Sequence, residues 1–329
     1  MTFFGDQAWF FFIARDALLT GQFPLLGVGS SITWLHHGPL WSYILMPFLL
    51  LVNFDPTKSW LLTLIINLAT LILLFFFTKK LFGKIPATTA VAVYLTHPFI
   101  VFQSQQPYHT LPLPLFTLIF FLSLIKKRLF IAGLFLGFLY QLHLLTIIYW
   151  PVLLYYLIKN SELKIKNLSG FILGILPFLL SGPIKALGIF LWLAKNALTG
   201  FSAASSGISD AYWMVMLAPF LLGFAFVLSR FPHRLQIIIA SVYIFFNLSQ
   251  PRIKPDIDLT KRISISQEVL AQSNTNQPLI KVTGPGSQWA SWTMPYEYLV
   301  WWLSRTNPPG GTHTQFLVDE PSGQISVLK

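Results

Sequence analysis

The sequence predicts an all-α polytopic membrane protein, a bundle of about eight transmembrane helices with a small external α/β appendage at its C-terminus. The composition is the first observation behind this fold class. Of the 329 residues, 54% are hydrophobic and only 10% are charged, whereas charged residues make up about 25% of a typical soluble domain. A soluble chain of this length cannot bury so much apolar surface, but a bilayer accepts it as the outer face of a helical bundle.

The distribution of positive charge is the second observation. The formal net charge of +11 would indicate a nucleic-acid partner in a soluble protein. Here the lysines and arginines stand in short clusters between apolar runs, as they do in the cytoplasmic loops of membrane proteins. We therefore predict membrane lipids, and no nucleic acid, as partners. The chain has no cysteine, which excludes disulfides and thiol chemistry.

The apolar runs predict the helices in order. They cover residues 40–53, 60–77, 87–103, 111–125, 129–143, 144–158, 167–182, 211–228 and 235–249. The basic clusters lie at residues 79–84, 126–128, 159–166 and 230–234. If all of these clusters are cytoplasmic, the path of the chain is self-consistent and its last segment ends outside. We expect run 40–53 to lie in the interface, because it is short and contains Pro47, and we expect Pro98 to kink its helix.

This path divides the chain into three parts. They are an external segment with interfacial helices (1–58), the transmembrane bundle (59–249) and the external C-terminal domain (250–329). In the last part the pattern predicts strands over 278–283 and 315–319 and a helix over 296–304. Residues 251–280 are otherwise polar and charged, without a predicted helix.

Asp6 is the first residue in a position to carry chemistry. It precedes the aromatic run Trp9–Phe12, and a carboxylate beside an interfacial helix is partly desolvated, which suits a general base. The alternative is an N-cap, since an Asp before an apolar helix accepts backbone hydrogen bonds; one residue can do both. Arg15 is either a phosphate ligand or a surface charge, and at nine residues from Asp6 it does not share a helix face with it.

Two other external segments contain basic side chains. His36 and His37 open run 40–53, and either is suited to bind a phosphate or a metal. Adjacent side chains point in different directions, so we expect at least one of the two to be structural. Lys185 lies in the external loop 183–210, where it either meets a lipid phosphate or extends its ammonium group to the interface.

Polar residues also interrupt the apolar sequence farther along. Tyr108 and His109 belong to the polar loop 103–110, and polar residues at membrane depth usually line a cavity. His143 ends run 129–143 at its external side, where a hydrogen-bonded structural role competes with a functional one. The chain has no Walker loop, dinucleotide fingerprint, HExxH or GxSxG pattern. No cofactor is therefore predicted, and a divalent metal is compatible with these residues without being indicated by them.

Several short motifs follow one another through the N-terminal half of the chain. They are Gly5-Asp6-Gln7-Ala8, an aromatic helix, Gly21-Gln22-Phe23-Pro24, His37-Gly38-Pro39-Leu40 with Tyr43, Leu81-Phe82-Gly83, and Gly133…Gly137…Gln141-Leu142-His143. Their order and placement resemble the first external loop and helices of GT-C-type glycosyltransferases, over about residues 3–250. The chain is most similar to the bacterial branch related to protein O-mannosyltransferases and lipid A aminoarabinose transferases.

The resemblance implies a GT-C-like bundle in a prokaryotic plasma membrane. It implies transfer of a hexosyl or pentosyl group from a polyprenyl-phosphate donor to a hydroxyl of an acceptor lipid, glycan or protein on the outer face. The first-loop aspartate, here Asp6, would be the general base, and donors would stabilise the leaving phosphate. The residues that the resemblance and the polar loops offer for binding substrate are Gln7, Arg15, His36, His37, Tyr108, His109, His143 and Lys185.

This chain departs from those relatives in two ways. Many of them have Asp-Glu where this chain has Asp6-Gln7, which weakens any role that needs a second carboxylate, metal coordination included. They also have a transmembrane helix before the catalytic loop, and an in-frame apolar run of about 20 codons upstream of Met1 would restore it. A transporter or lipid flippase is the alternative function, although no internal repeat is visible, and a non-catalytic membrane scaffold is the third.

Overall fold

The computed structural model shows a helical bundle joined to a small sheet. It describes residues 3–30, 34–160, 165–182, 188, 210–251, 257–273, 278–284, 287, 290–305, 315–320 and 322–328. Within these residues there are 13 α-helices and one sheet of three strands. The predicted combination of a helical bundle with a C-terminal α/β part is therefore present.

The helices follow the apolar runs. They are α1 Gly5–Thr20, α2 Leu40–Leu51, α3 Trp60–Phe82, α4 Lys84–Thr96, α5 Pro98–Ser104, α6 Leu113–Ile125, α7 Leu129–Leu142, α8 Trp150–Lys159, α9 Ile165–Leu180, α10 Asp210–Leu228, α11 His233–Ser249, α12 Leu259–Gln272 and α13 Met294–Ser304. The kink expected at Pro98 is confirmed, because α4 and α5 meet there at 70°. Run 144–158 differs from a single helix, since Leu144–Tyr149 forms a 3-10 turn before α8.

Few of these helices are long. Among the described residues, the stretch Pro56–Phe82 is long and apolar enough to cross a bilayer by itself, and the bent pair α4–α5 makes a second if it counts as one span. The other apolar helices have 10–17 residues, fewer than the roughly 20 that a perpendicular span needs. The charge pattern predicts about eight membrane crossings, and this number stays a prediction.

Helices α7 and α9 pack at backbone distance. A Cβ atom on Gly137 would lie 2.8 Å from the backbone of Gly174, and the side-chain amide of Gln141 donates a hydrogen bond to the Gly174 carbonyl. Small residues permit such close approach where packing, rather than burial from water, brings helices together. The contact fixes the C-terminal end of α7, and His143 follows directly.

The C-terminal residues form a compact α/β unit of α12, α13 and three strands. The strands are β1 Leu279–Thr283, β2 Gln315–Asp319 and β3 Gln324–Leu328. β1 pairs with β2 in parallel and β2 pairs with β3 antiparallel, while the two helices cover the buried face around Val269, Tyr296 and Phe316. β2 has the predicted bounds, and β1 and α13 lie within two residues of them.

Two elements of this unit were not predicted. α12 lies within residues 251–280, for which no helix was predicted. Its contacts with the core are made by Ile265 and Val269. Asp258 caps its first turn by accepting the Lys261 N–H at 2.9 Å. β3 is an edge strand with alternating polar residues, a pattern that is weak without its partner β2. In both cases tertiary contacts supply the stability that the local sequence lacks.

Candidate functional site

Three histidines from distant parts of the chain meet at one end of the bundle. The ring centroids of His37 and His109 are 4.6 Å apart, those of His37 and His143 are 5.6 Å apart, and those of His109 and His143 are 5.9 Å apart. All three side chains are buried. We call these three residues the histidine cluster.

His37 is placed by the loop between α1 and α2. Its backbone exchanges hydrogen bonds with Gly27 and Val28, at 2.9 and 3.0 Å. The next residue, Gly38, donates its N–H to the Gln141 carbonyl at 2.9 Å, and a Cβ atom there would lie only 2.6 Å from the Gln141 side chain. A glycine at position 38 thus lets the loop dock on the end of α7.

His109 is placed by the turn that follows α5. The Tyr108 N–H bonds to the Gln106 carbonyl at 2.8 Å, and the Leu111 N–H bonds to the Tyr108 carbonyl at 2.9 Å. The Phe10 ring of α1 lies 5.2 Å from the His109 ring and 6.2 Å from the Tyr108 ring. The packing of α1 therefore holds this turn against the cluster.

His143 enters the cluster because α7 ends there. Its backbone turns to an extended conformation, with φ −152° and ψ 122°, and its Nδ1 accepts the Leu145 N–H at 3.2 Å. The hydrogen-bonded structural role considered for this residue is thus present. The ring still contacts the other two histidines, so structure and function are compatible at this position.

Asp6 lies at the rim of the site. α1 begins at Gly5 with Phe4 as its N-cap, so the N-cap role considered for Asp6 is wrong. The Asp6 side chain is exposed, which also differs from the expected desolvation. Its Oδ2 accepts a hydrogen bond from the Tyr108 hydroxyl at 3.3 Å, and the Tyr108 ring lies 4.0 Å from the His109 ring. Tyr108 therefore connects the exposed carboxylate with the buried cluster.

Gln7, the residue that replaces a second carboxylate, is buried next to Asp6. Its Oε1 accepts the Phe4 N–H at 3.0 Å, as the third residue of a capping box does. Its Nε2 donates to Oε1 of Gln106 at 3.1 Å. Gln7 thus ties α1 to the loop that carries Tyr108. Gln106 was not singled out from the sequence, although it belongs to the polar loop that was.

The remaining candidates lie elsewhere. The Arg15 guanidinium donates to Asp16 at 2.7 Å and stacks over the rings of Phe12 and Trp301, 4.3 and 4.6 Å from their centroids. Nine residues of helix place Arg15 half a turn and about 13 Å from Asp6. His36 forms a β-bridge with Gly29 beside the cluster. Lys185 and most of loop 183–210 lie outside the described residues.

Burial disfavours the charged forms of His37 and His109. Burial lowers the pKa of His37 to about 4, with a smaller contribution from the neighbouring His36. Burial also holds the pKa of His109 well below its usual range, and the nearby His37 and His143 act in the same direction. The pKa of the Tyr108 hydroxyl is raised well above its usual range by burial and by the Asp6 carboxylate. Tyr108 therefore remains a hydrogen-bond donor to Asp6.

Part of the cluster's hydrogen-bonding capacity is unused by the protein. Nδ1 of His37 and both ring nitrogens of His109 are buried and have no partner among the described residues. Buried polar atoms usually have one, so these nitrogens are the natural contacts for a ligand oxygen. In the part of the chain that the structure describes, no group of His, Cys, Asp or Glu side chains has the arrangement of a metal site.

An apolar cavity of about 410 Å³ opens at the bend between α4 and α5. Its walls come from both sides of the bend and from α10. They are His97, Phe99, Ile100, Trp213, Met216, Leu217 and Phe220. α5 leads from this cavity directly into the loop of Tyr108, so the cavity and the histidine cluster are joined by one short segment.

The described part of the chain is mostly helical with a small C-terminal sheet, which is consistent with a GT-C-like fold. The dolichyl-phosphate-mannose-protein mannosyltransferase family matches residues 36–184. That family consists of membrane-integral glycosyltransferases whose sugar donors are polyprenyl phosphates. No curated protein and no solved structure matches the chain.

The matched region contains most of the site. It includes the whole histidine cluster and Tyr108, and it begins after Asp6. The match supports glycosyltransferase activity for the part of the chain that builds the cluster. It is a match to the family as a whole, so the bacterial branch named from the motifs remains a prediction.

Proposed function

We propose that this protein is a glycosyltransferase that moves a sugar from a polyprenyl-phosphate donor to a hydroxyl group of a glycan, lipid or protein. The observation that carries the proposal is the convergence of Asp6, Tyr108 and the histidine cluster from four separate segments, together with the family match over residues 36–184. An exposed carboxylate beside buried donors is what glycosyl transfer to a hydroxyl requires.

The position of the site supports a reaction on the non-cytoplasmic face of a prokaryotic plasma membrane. α6 and α7 form a hairpin whose turn is the basic cluster 126–128. His109 precedes α6 and His143 follows α7, so both stand at the end opposite that turn, about 20 Å away along a 13-residue helix. Basic turns of this kind usually face the cytoplasm, which supports a site on the outer face.

The proposed chemistry is a displacement at the anomeric carbon. Asp6 takes the proton of the acceptor hydroxyl as the oxygen forms its bond to the anomeric carbon, and the bond from that carbon to the phosphate oxygen breaks. The lipid phosphate leaves with the electron pair. Tyr108 donates to Oδ2 of Asp6 and so orients the carboxylate, leaving Oδ1 for the acceptor.

The histidine cluster is suited to the phosphate side of the reaction. His109 offers an N–H donor in a buried setting, where a hydrogen bond to developing negative charge is strong. His37 already bonds the Leu142 backbone, so its free Nδ1 becomes a donor only when the ring is protonated. An anion within about 4–6 Å also favours the charged imidazolium, so arrival of the phosphate would draw a proton onto the cluster. We assign the isoprenoid chain to the apolar cavity at the α4–α5 bend, because α5 leads from that cavity into the loop of His109.

One observation favours the alternative of a lipid transporter. The bend between α4 and α5 interrupts a helix in the way that transporters do near their substrate sites. The polar residues of the site, however, gather at one end of the bundle with a carboxylate at the rim. That placement fits a reaction at the surface better than passage through the membrane.

The test is sugar transfer from radiolabelled polyprenyl-phosphate sugars in membranes that contain the protein. Asp6→Asn should lower the rate by about 100-fold or more, the usual contribution of a general base, with the protein level unchanged. Asp16→Asn is the matched control, because it makes the same change at an exposed carboxylate on the same helix. Transfer that survives in Asp6→Asn would remove Asp6 as the base. If the wild type transfers none of a range of donors, the transporter becomes the better account.

A further inference from the structure

The C-terminal unit packs directly on the start of α1. A Cβ atom on Gly5 would overlap the backbone carbonyl of Ser291, which lies in the 3-10 turn Ala290–Trp292. Glycine is therefore required at the residue immediately before Asp6. This close contact joins the proposed base to a part of the chain that lies nearly three hundred residues later in the sequence and outside the family match.

A buried ion pair makes a second connection at the same place. Arg262 of α12 donates through Nε and Nη2 to the two carboxylate oxygens of Glu320, at 3.2 and 3.3 Å. Its Nη1 donates to the Phe3 carbonyl at 3.0 Å. The Tyr296 hydroxyl donates to the same Glu320 carboxylate. Arg262 thus holds the backbone three residues before Asp6, and Glu320 and Tyr296 hold Arg262.

The Arg262–Glu320 pair adds little to the stability of the fold, but it fixes the orientation of the Arg262 guanidinium. Arg262 and Glu320 are 3% and 6% exposed, and the desolvation of such a pair offsets much of its attraction. A planar guanidinium with a bidentate partner has one orientation, so its remaining donor points in a set direction. Here that direction is the carbonyl of Phe3, two residues before α1 begins.

Aromatic contacts extend the connection along α1. The Tyr298 ring of α13 lies 5.7 Å from the Phe3 ring, 5.6 Å from the Phe11 ring and 5.4 Å from the Phe12 ring. The C-terminal unit therefore packs on α1 from its start to its third turn. Gln7 and Phe10 of the same helix contact the loop of Tyr108. α1 therefore contacts both the C-terminal unit and the loop that carries His109.

The placement of Asp6 depends on these contacts. Its side chain is exposed, and its hydrogen bond to Tyr108 is its one interaction among those described. The position of its carboxylate therefore follows the backbone of residues 3–6, which Arg262 and Ser291 hold.

We infer that the C-terminal unit is part of the active-site framework, with Arg262 and Gly5 as positioning residues for Asp6. The inference rests on the proposed function. In the full chain, Arg262→Met should lower kcat by up to about 100-fold, the effect of a displacement near 1 Å, with the donor KM and the number of donor sites per chain unchanged. Loss of folded protein would instead reduce the number of donor sites. Arg262→Lys keeps the charge without the bidentate geometry and should restore part of the rate.

The chain has no native cysteine, so a single nitroxide label reports position without relying on activity. A label at Asp6→Cys should gain mobility when Arg262→Met is added, whereas a label at Leu19→Cys, exposed at the other end of α1, should not. Gly5→Ala is the independent variant, since its added methyl must push α1 from Ser291, and it should give the same result if Arg262→Met folds poorly.

The framework role of the C-terminal unit and the role of Asp6 as the base can be refuted separately. If the label at position 6 keeps its mobility in both variants, the framework role is wrong, whatever Asp6→Asn does to transfer. If the label gains mobility while Asp6→Asn still transfers sugar, the framework role stands and the proposed base is wrong.

Discussion

Acidification should destabilise the fold through the histidine cluster. The pKa of His37 is about 4 in the folded protein because the ring is buried, against about 6.5 in an unfolded chain. Between these values the unfolded chain binds more protons, so the free energy of unfolding falls as the pH falls. The contribution of His37 is fully present above about pH 6.5 and lost as the pH passes through 4, and at pH 4.5 the loss amounts to about 2–3 kcal/mol. His109 acts in the same direction.

The assay is thermal unfolding of the purified protein in detergent micelles, followed by tryptophan fluorescence between pH 4.5 and 8. Other side chains contribute to the pH dependence as well, so the quantity to compare is the pH dependence of wild type minus that of His37→Gln. The variant should lose stability less steeply on acidification. His233→Gln, at an exposed histidine, should leave the wild-type slope unchanged. Equal slopes for wild type and His37→Gln would refute burial of a neutral imidazole at this position.

Two further substitutions test the contacts that support the site. Gly137→Leu should destabilise the protein by about 1–3 kcal/mol, because a Cβ atom at this position lies 2.8 Å from the backbone of Gly174. Gly223→Leu is the control, since the space around Gly223 is open. Equal melting temperatures for the two variants would contradict the close packing of α7 and α9. Tyr108→Phe removes the hydrogen-bond donor to Asp6. It should lower kcat by about tenfold, which corresponds to the loss of one hydrogen bond to a charged group. Sugar transfer at the wild-type rate would contradict this role of Tyr108.

Local sequence was sufficient for most of the secondary structure. Apolar runs, Pro98 and the turn residues act within a few positions of where they stand, so α3, α6 and the α4–α5 bend could be predicted from them. α12 could not, because its few apolar residues acquire a hydrophobic face only when the sheet covers them. The number of membrane crossings rests on charge placement, since most of the helices are shorter than a full span.

The candidate site was partly visible in the same way. Asp6, His37, His109 and His143 were predicted because ionisable residues in a strongly apolar chain are costly and usually have a function. The separation of Arg15 from the site followed from the helical period alone. No sequence pattern indicated that Phe10 or Gln106 supports the loop of Tyr108, because Phe10 lies in an aromatic run and Gln106 lies among other glutamines.

The sequence by itself thus determined the bundle, the end of it on which polar residues collect, and the residues suited to chemistry there. Tertiary structure alone decided which of them meet. The three histidines come from segments that lie 72 and 34 positions apart in the sequence, and Arg262 reaches the Phe3 carbonyl across 259 positions. The physical reason is that periodicity reports the environment of a side chain, whereas a specific contact depends on how closely packed helices, such as α7 and α9 at Gly137, orient their ends in space.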